Sequence, residues 1–181
     1  MKIKILLKHI NTIMNHRKYV RKSCFKMGLY WQGLIHDLSK YSLTELSVCK
    51  YYTGVGSPHN ECRNKTGYSK SWLHHKYKNK HHWQYWLDDK EEGGFVPIKM
   101  PYKYVIESIC DFVGAGKAYS KEKWTKESPL NYWNDKCEGK RLMHVDSYNL
   151  TKTLLNKIKE LGEEEFYKWY KENKKQLKEK Y

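Results

Sequence analysis

The stretch GLIHDLSKYS, Gly33 to Ser42, sets His36 beside Asp37 and places Lys40 three residues on. Around it, Trp31, Leu34, Ile35 and Leu38 follow the i, i+3, i+4, i+7 spacing of a helix that faces a core. Leucines suit such a face; an imidazole and a carboxylate do not. Burying those two groups is costly unless each finds a partner. A metal ion is one such partner, and its remaining ligands must then come from elsewhere in the chain. Without a metal, the pair reads as a hydrogen-bonded His–Asp at a helix end.

Outward from this stretch the pattern is helical nearly throughout. Ile3, Leu6, Leu7, Ile10, Ile13, Met14, Val20 and Cys24 mark a helix over 3–26, stopped by Gly28. Ser42 and Glu45 form a capping box that opens a third helix to about Tyr52. Residues 53–69 are rich in Gly, Ser, Asn and Pro and read as a loop, long enough to expect a function for it. A helix rich in His and Trp follows over 70–88, then a turn at DDKEEGG. Pro101 reads as the first residue of a helix running to about Tyr119. Residues 120–142 are polar and irregular, with a short helical piece near PLNYWND. Two amphipathic helices over 144–160 and 163–180 are split at Gly162, the last opening with acids and closing with lysines, as the helix dipole favours. Strand patterns are scarce, and neither repeats nor a domain boundary stand out. The expectation is an all-α, single-domain helical bundle over 1–181, with the site-bearing part at about 9–119 and the C-terminal helices at about 144–180.

With 181 residues the chain is long enough for a real core. No apolar run approaches the roughly 20 residues of a membrane span, so no membrane partner is expected. The apolar start is broken by Lys8, His9 and Asn11, so it is not read as a signal peptide. Five cysteines (Cys24, Cys49, Cys62, Cys110 and Cys137) contain no CxxC pair, which argues against a disulfide framework or a zinc–thiolate site and favours the cytoplasm. The net charge of +15 suits polyanions, with a merely solvated surface as the plain alternative.

Three predicted helices carry groups foreign to a plain core: His16 on the first, His36 and Asp37 on the second, and Asp111 on the helix that precedes residue 119. Imidazole nitrogen with carboxylate oxygen suits a divalent transition metal. His36 and Asp37 would point about 100° apart on a helix, so they can serve one ion, or Asp37 can bridge two. On a helix over 70–88, His75, Asn79 and His82 share one stripe, and His74 and His81 a second. His75 and His82 are the favoured ligands there, then His81, with His74 as bystander. His59 and His144 read as structural or surface residues.

A histidine, then a His–Asp pair, then a later aspartate resembles the HD superfamily of metal-dependent phosphohydrolases, and HDLSK is similar to the HD-x-x-K form of several of its branches. More narrowly, HDLSK, the run from His75 to Trp86 and the PLNYW segment near Pro129 resemble an uncharacterised HD-like family of bacteria and phages. The resemblance implies an HD-like bundle holding one or two divalent ions (Mn, Fe, Co, Ni or Zn). His16, His36, Asp37 and Asp111 would form one site, with His9 as an alternative first ligand, and His75, His82 and His81 would serve a second. It implies hydrolysis of a small phosphorylated substrate, a nucleotide or related phosphoester, with Asp37 and Lys40 as catalytic groups. Composition adds Lys40, Asn79, Lys117, Lys121 and Lys123 as substrate-binding groups, and Tyr119, Trp124 and Trp133 as rings for a base to stack on. Two rival readings are a di-iron oxygenase on the same fold and a basic nucleic-acid-binding protein without catalysis.

Overall fold

The computed structural model describes residues 3–53, 57–136 and 141–181. The first helix, α1, runs from Ile3 to Lys26 and buries His9, Ile13, His16, Val20 and Cys24. Those spacings of three and four trace one face of a helix. Gly28, at φ 78°, ends the turn in the left-handed region that glycine takes at low cost. The remaining helices are α2 (Tyr30–Ile35), α3 (Leu43–Leu46), α4 (Pro58–Thr66), α5 (Lys70–Lys78), α6 (Tyr102–Ser120), α7 (Ser128–Lys136), α8 (Val145–Leu161) and α9 (Glu163–Lys180). One short antiparallel hairpin, β1 (Leu87–Asp89) with β2 (Phe95–Pro97), pairs Asp88 with Val96. The fold is a single compact all-α domain, and none of the described helices is long and apolar enough to cross a membrane.

The core lies between α6, α7, α8 and α9 and the C-terminal half of α1. Val105, Ile106, Ile109 and Cys110 of α6 meet Leu154, Leu155 and Ile158 of α8, Phe166 and Tyr170 of α9, and Trp133 of α7, all nearly or fully buried. Each large apolar side chain sealed in this way contributes about 1.5–3 kcal/mol. At the crossing of α1 and α6 the backbones nearly touch. A β-carbon on Gly114 would lie 2.4 Å from Val20 Cγ2 and 2.9 Å from Val20 N, so only glycine permits this approach. Gly114 lies three residues after Asp111 and Val20 four after His16, so the same close crossing brings those two side chains together.

Several local expectations change. The segment around the HD pair is not one helix: α2 stops at Ile35, and a 3-10 turn covers Leu38–Tyr41. The stripe expected to face the core faces solvent instead, with Trp31 67% and Leu34 48% exposed. The cause is Gly33, which lies flat on Cys24 and Phe25 of α1, so the glycine edge is the packed edge of α2. The capping box holds at Ser42, whose Oγ accepts from Glu45 N at 3.3 Å, but α3 is brief and passes into a 3-10 turn over Ser47–Tyr51. Most of the expected 53–69 loop is α4, with Ser57 as its N-cap and Pro58 in its first turn; residues 54–56 of that stretch lie outside the described residues. Pro101 is the N-cap of α6 and not its first helical residue. The expected helix over 70–88 ends at Lys78 and gives way to a turn, a 3-10 segment over Trp83–Trp86, and β1. Cys24, Cys49, Cys62 and Cys110 are buried free thiols, and Cys137 lies outside the described residues.

Candidate metal centre

Asp37 sits at the break between α2 and the following 3-10 turn, in the left-handed conformation (φ 55°, ψ 26°). Aspartate tolerates that region better than most residues. The break replaces the helical 100° offset, and both members of the pair turn inward: His36 is 2% exposed and Asp37 1%. Arg17 of α1 secures the turn by donating from Nε to His36 O at 2.8 Å and from Nη2 to Leu34 O at 2.9 Å. These bonds satisfy carbonyls that the end of α2 leaves free.

The two oxygens of Asp37 face different neighbours. Oδ2 lies 3.0 Å from His16 Nε2, 3.5 Å from His36 Nε2 and 2.7 Å from Lys40 Nζ. Asp111 Oδ1 completes this group, 3.3 Å from His16 Nε2 and 3.6 Å from His36 Nε2. On the other side, Oδ1 lies 3.5 Å from His75 Nε2 and 3.6 Å from His81 Nε2. One potential ligand atom from each of His16, His36, Asp37 and Asp111 falls within 4.8 Å of the others, and the same holds for Asp37, His75, His81 and His82. Asp37 belongs to both sets.

Behind the rings stand two more buried carboxylates. Glu107 Oε1 faces His36 Nδ1 at 2.9 Å and His81 Nδ1 at 3.3 Å. Glu45 takes His74 Nδ1 on Oε1 and His75 Nδ1 on Oε2, each at 2.8 Å. An ionised carboxylate only accepts, so these contacts put an imidazole proton on Nδ1 and make Nε2 the nitrogen that can offer a lone pair to a metal. His36 Nε2, His81 Nε2, His82 Nε2 and Asp37 Oδ1 are buried without a hydrogen-bond partner. Orphaned buried polar atoms are rare and costly, and four of them converge here. A divalent cation is the group that suits nitrogen and oxygen lone pairs so arranged, so the residues present fit a metal.

The electrostatics point the same way. Burial opposes ionisation of Asp37, but His36, Lys40 and His75 outweigh it and hold its carboxyl well below the usual range. Asp111 is lowered against the same burial by its bond to His36 and the charges of His16 and His81. Burial pushes His16 down to about 4, helped by Lys40 and resisted by Asp37 and Asp111. His36 goes the other way: burial lowers it, but Asp37, Asp111 and Glu107 together raise it to about 10. Four carboxylates thus gather around two cations, Lys40 and a His36 ring that keeps its second proton until a metal ion takes that place, and the surplus of negative charge favours a bound cation.

The expected residues divide clearly. His16, His36, Asp37, Lys40, His75, His81, His82 and Asp111 come together. His9 does not join either set; it packs against the Tyr52 ring, with centroids 5.3 Å apart. His81 is as central as His75, whereas the helical stripe had ranked it behind His82. The helix breaks at Asn79, the C-cap of α5, and so both His81 and His82 can turn inward. Asn79, expected to bind substrate, donates from Nδ2 to Ser39 Oγ and His75 O, each at 2.8 Å, and holds that break in place. His74 stays behind its Glu45 bond. His59 bonds Ser69 Oγ at 2.9 Å, and His144 caps α8, both structural roles.

Lys117 is paired with Glu163, which takes its charge out of use. Lys121 lines a groove of about 590 Å³ with Asn15, Tyr19, Ala118 and Trp124. Tyr119 remains 45% exposed, whereas Trp133, expected to stack on a base, is sealed in the core at 0% and cannot. Lys123 is exposed in the turn after α6.

Glu45 and Glu107 were absent from the expected site. Glu107 did leave a trace in the sequence, one turn before Asp111 in the otherwise apolar run YVIESICDFV. A family model matches residues 6–180. The chain belongs to DUF5662, a family of unknown function. No curated protein and no solved structure matches this DUF5662 chain.

Proposed function

We propose that this DUF5662 protein is a metal-dependent phosphohydrolase of HD type, acting on a nucleotide or related phosphoester. The observation that carries the reading is Asp37, a buried carboxylate with one oxygen turned toward His16, His36 and Asp111 and the other toward the imidazoles of the second set. His16, His36, Asp37 and Asp111 would hold one ion; Asp37, His75, His81 and His82 would hold a second. A divalent ion supplies Lewis acidity toward water and toward the phosphoryl group.

The chain's own residues do the rest. Asp37 and Asp111 present fixed negative charge, and Glu45 and Glu107 fix the tautomers of the rings they touch. Lys40 keeps its proton: burial opposes the charge, but Asp37 more than offsets it and raises the ammonium pKa. Its side chain is 20% exposed and that of Asp111 23%, so both border the path by which a substrate enters. At that rim an ammonium acts on phosphate as a compact point charge. The groove lined by Asn15, Tyr19, Ala118 and Trp124 would take the organic part of the substrate.

The test is elemental analysis of protein purified without chelator or His tag, followed by 4-nitrophenol release from 4-nitrophenyl phosphate and bis(4-nitrophenyl) phosphate and phosphate release from a nucleotide panel. Asp37→Asn is the control, because asparagine also tolerates the left-handed conformation. Wild type should carry one or two ions per chain and release phosphate, and the variant should do neither. Absence of metal from both proteins after divalent ions are added back overturns the reading. Bound iron with oxygen-dependent absorbance and no phosphate release replaces it with an oxygenase.

A further inference from the structure

We infer that Glu107 is a positioning residue that couples the two ion sites, so that both lose affinity together when it is removed. This rests on the two-ion reading of the cluster. Asp37 is shared by both sites as a ligand; Glu107 is shared one layer further out.

The two outer carboxylates are built differently. Glu45 bonds His74 and His75, adjacent residues of α5, so it orients one helix and one ligand of the second site. Glu107 bonds His36 and His81. These belong to different sites and to segments 45 residues apart: the turn after α2 and the turn after α5. Both histidines stand where a helix has ended: His36 is the C-cap of α2, its N–H on Gln32 O at 2.8 Å and its carbonyl held by Arg17, and His81 lies three residues past the end of α5 at Lys78. The backbone places these two residues but leaves the rotation of their rings open, and a single oxygen, Oε1, sets the direction of both. Those rings stack with centroids 4.4 Å apart, and both Nε2 atoms lack another partner.

Glu107 itself is held firmly. It is 6% exposed, in the middle of α6, one turn before Asp111. Asp111 reaches both sites too, with Oδ1 near His16 and His36 and Oδ2 3.8 Å from His81 Nε2. One rigid helix thus carries two of the three groups that span the pair of sites, the third being Asp37. Removing Glu107 frees His36 and His81 to rotate or to take the other tautomer, and either change withdraws a nitrogen from each site. Loss of such an outer partner typically costs 10–100-fold in metal affinity.

The experiment is calorimetric titration of the full chain with Co²⁺, read together with the visible d–d spectrum of the bound ion. Wild type should bind two ions. Glu107→Ala should weaken both binding events by about 10–100-fold and alter both spectral components. Glu45→Ala should weaken one event and leave the other unchanged. Glu107→Gln keeps an acceptor oxygen, so it should fold and recover part of both affinities, a rescue that a purely packing role would not give to both sites. If wild type binds two ions and Glu107→Ala and Glu107→Gln change one event or none, the coupling is wrong and the two-ion centre stands. A third ion lost with Glu107 would make it a ligand and overturn the positioning role. If wild type does not bind two ions, the two-ion reading falls, and the coupling with it.

Discussion

α1 buries one stripe, yet the two halves of that stripe meet different worlds. Toward its C-terminus, Val20 and Cys24 enter an apolar core beside α6 and α9. Toward its N-terminus, His9 and His16 on the same face are just as buried, but His16 meets carboxylates. α6 repeats the division: Ile106, Ile109 and Val113 fill the core, while Glu107 and Asp111 turn to the histidines. One half of the molecule is held by removing apolar surface from water; the other pays for buried charge that only a cation would balance. The first half should therefore be stable without metal, and the second should depend on it.

The largest expected effects come from exchanging damage between the halves. Asp37→Asn should cut phosphate release by about 1,000-fold or more, because metal charge stabilisation supplies several kcal/mol, and it should abolish metal loading. Trp133→Ala should instead cost about 3–5 kcal/mol of stability, visible as a Tm lower by roughly 10 °C, while the folded fraction keeps its metal stoichiometry. Loss of metal by the folded Trp133 variant would erase the proposed division. Next in size is chelation. With ion at 100 times its Kd, wild type gains about 2.7 kcal/mol from binding, so chelator should lower its Tm by roughly 5–10 °C and leave Asp37→Asn unmoved.

Gly114→Ala probes the seam between the halves. The new β-carbon collides with Val20 backbone and side chain, and overpacking of this kind costs about 1–3 kcal/mol. It should also weaken the ion site that contains His16 and Asp111 more than the one containing His75 and His82, as two-site titration would reveal.

The smallest effect lies deep in the apolar half. Tyr167 donates its hydroxyl to Glu163 Oε1 at 2.9 Å and accepts from Ser23 Oγ at 2.7 Å. Tyr167→Phe should cost about 1 kcal/mol. Burial raises the phenol pKa, and the Glu163 charge adds to this. A raised folded pKa means that this contribution is complete below the unfolded value of about 10 and is lost as pH climbs above it. Urea midpoints should therefore fall more steeply for wild type than for Tyr167→Phe between pH 9 and 11.

The legibility of the molecule follows the same division. α1, α6, α8 and α9 stand in the sequence because long amphipathic periodicity is a local property, repeated over many turns. His16, His36, Asp37 and Asp111 stand there because charged groups interrupt those apolar faces. The segments between them are ambiguous, because there a short helix and a turn share one pattern. The stripe of Trp31, Leu34, Ile35 and Leu38 promises a buried face, but Gly33 is what packs on α1. The His-rich run promises a helix through residue 88, but Asn79, bonded to Ser39 forty residues earlier, stops it. Glu45 is a capping-box residue by pattern, yet its carboxylate turns to His74 and His75.

The helical class, the long helices and the residue types that can ligate a metal are local properties, because periodicity and the chemistry of buried polar groups are written residue by residue. Tertiary structure alone decided which histidines converge, that Asp37 faces two sets of donors, and that Glu45 and Glu107 stand behind them. Those outcomes depend on helix ends fixed by distant partners, on the close approach that Gly114 allows, and on a left-handed residue at Asp37. None of these is set within the short window in which sequence periodicity speaks.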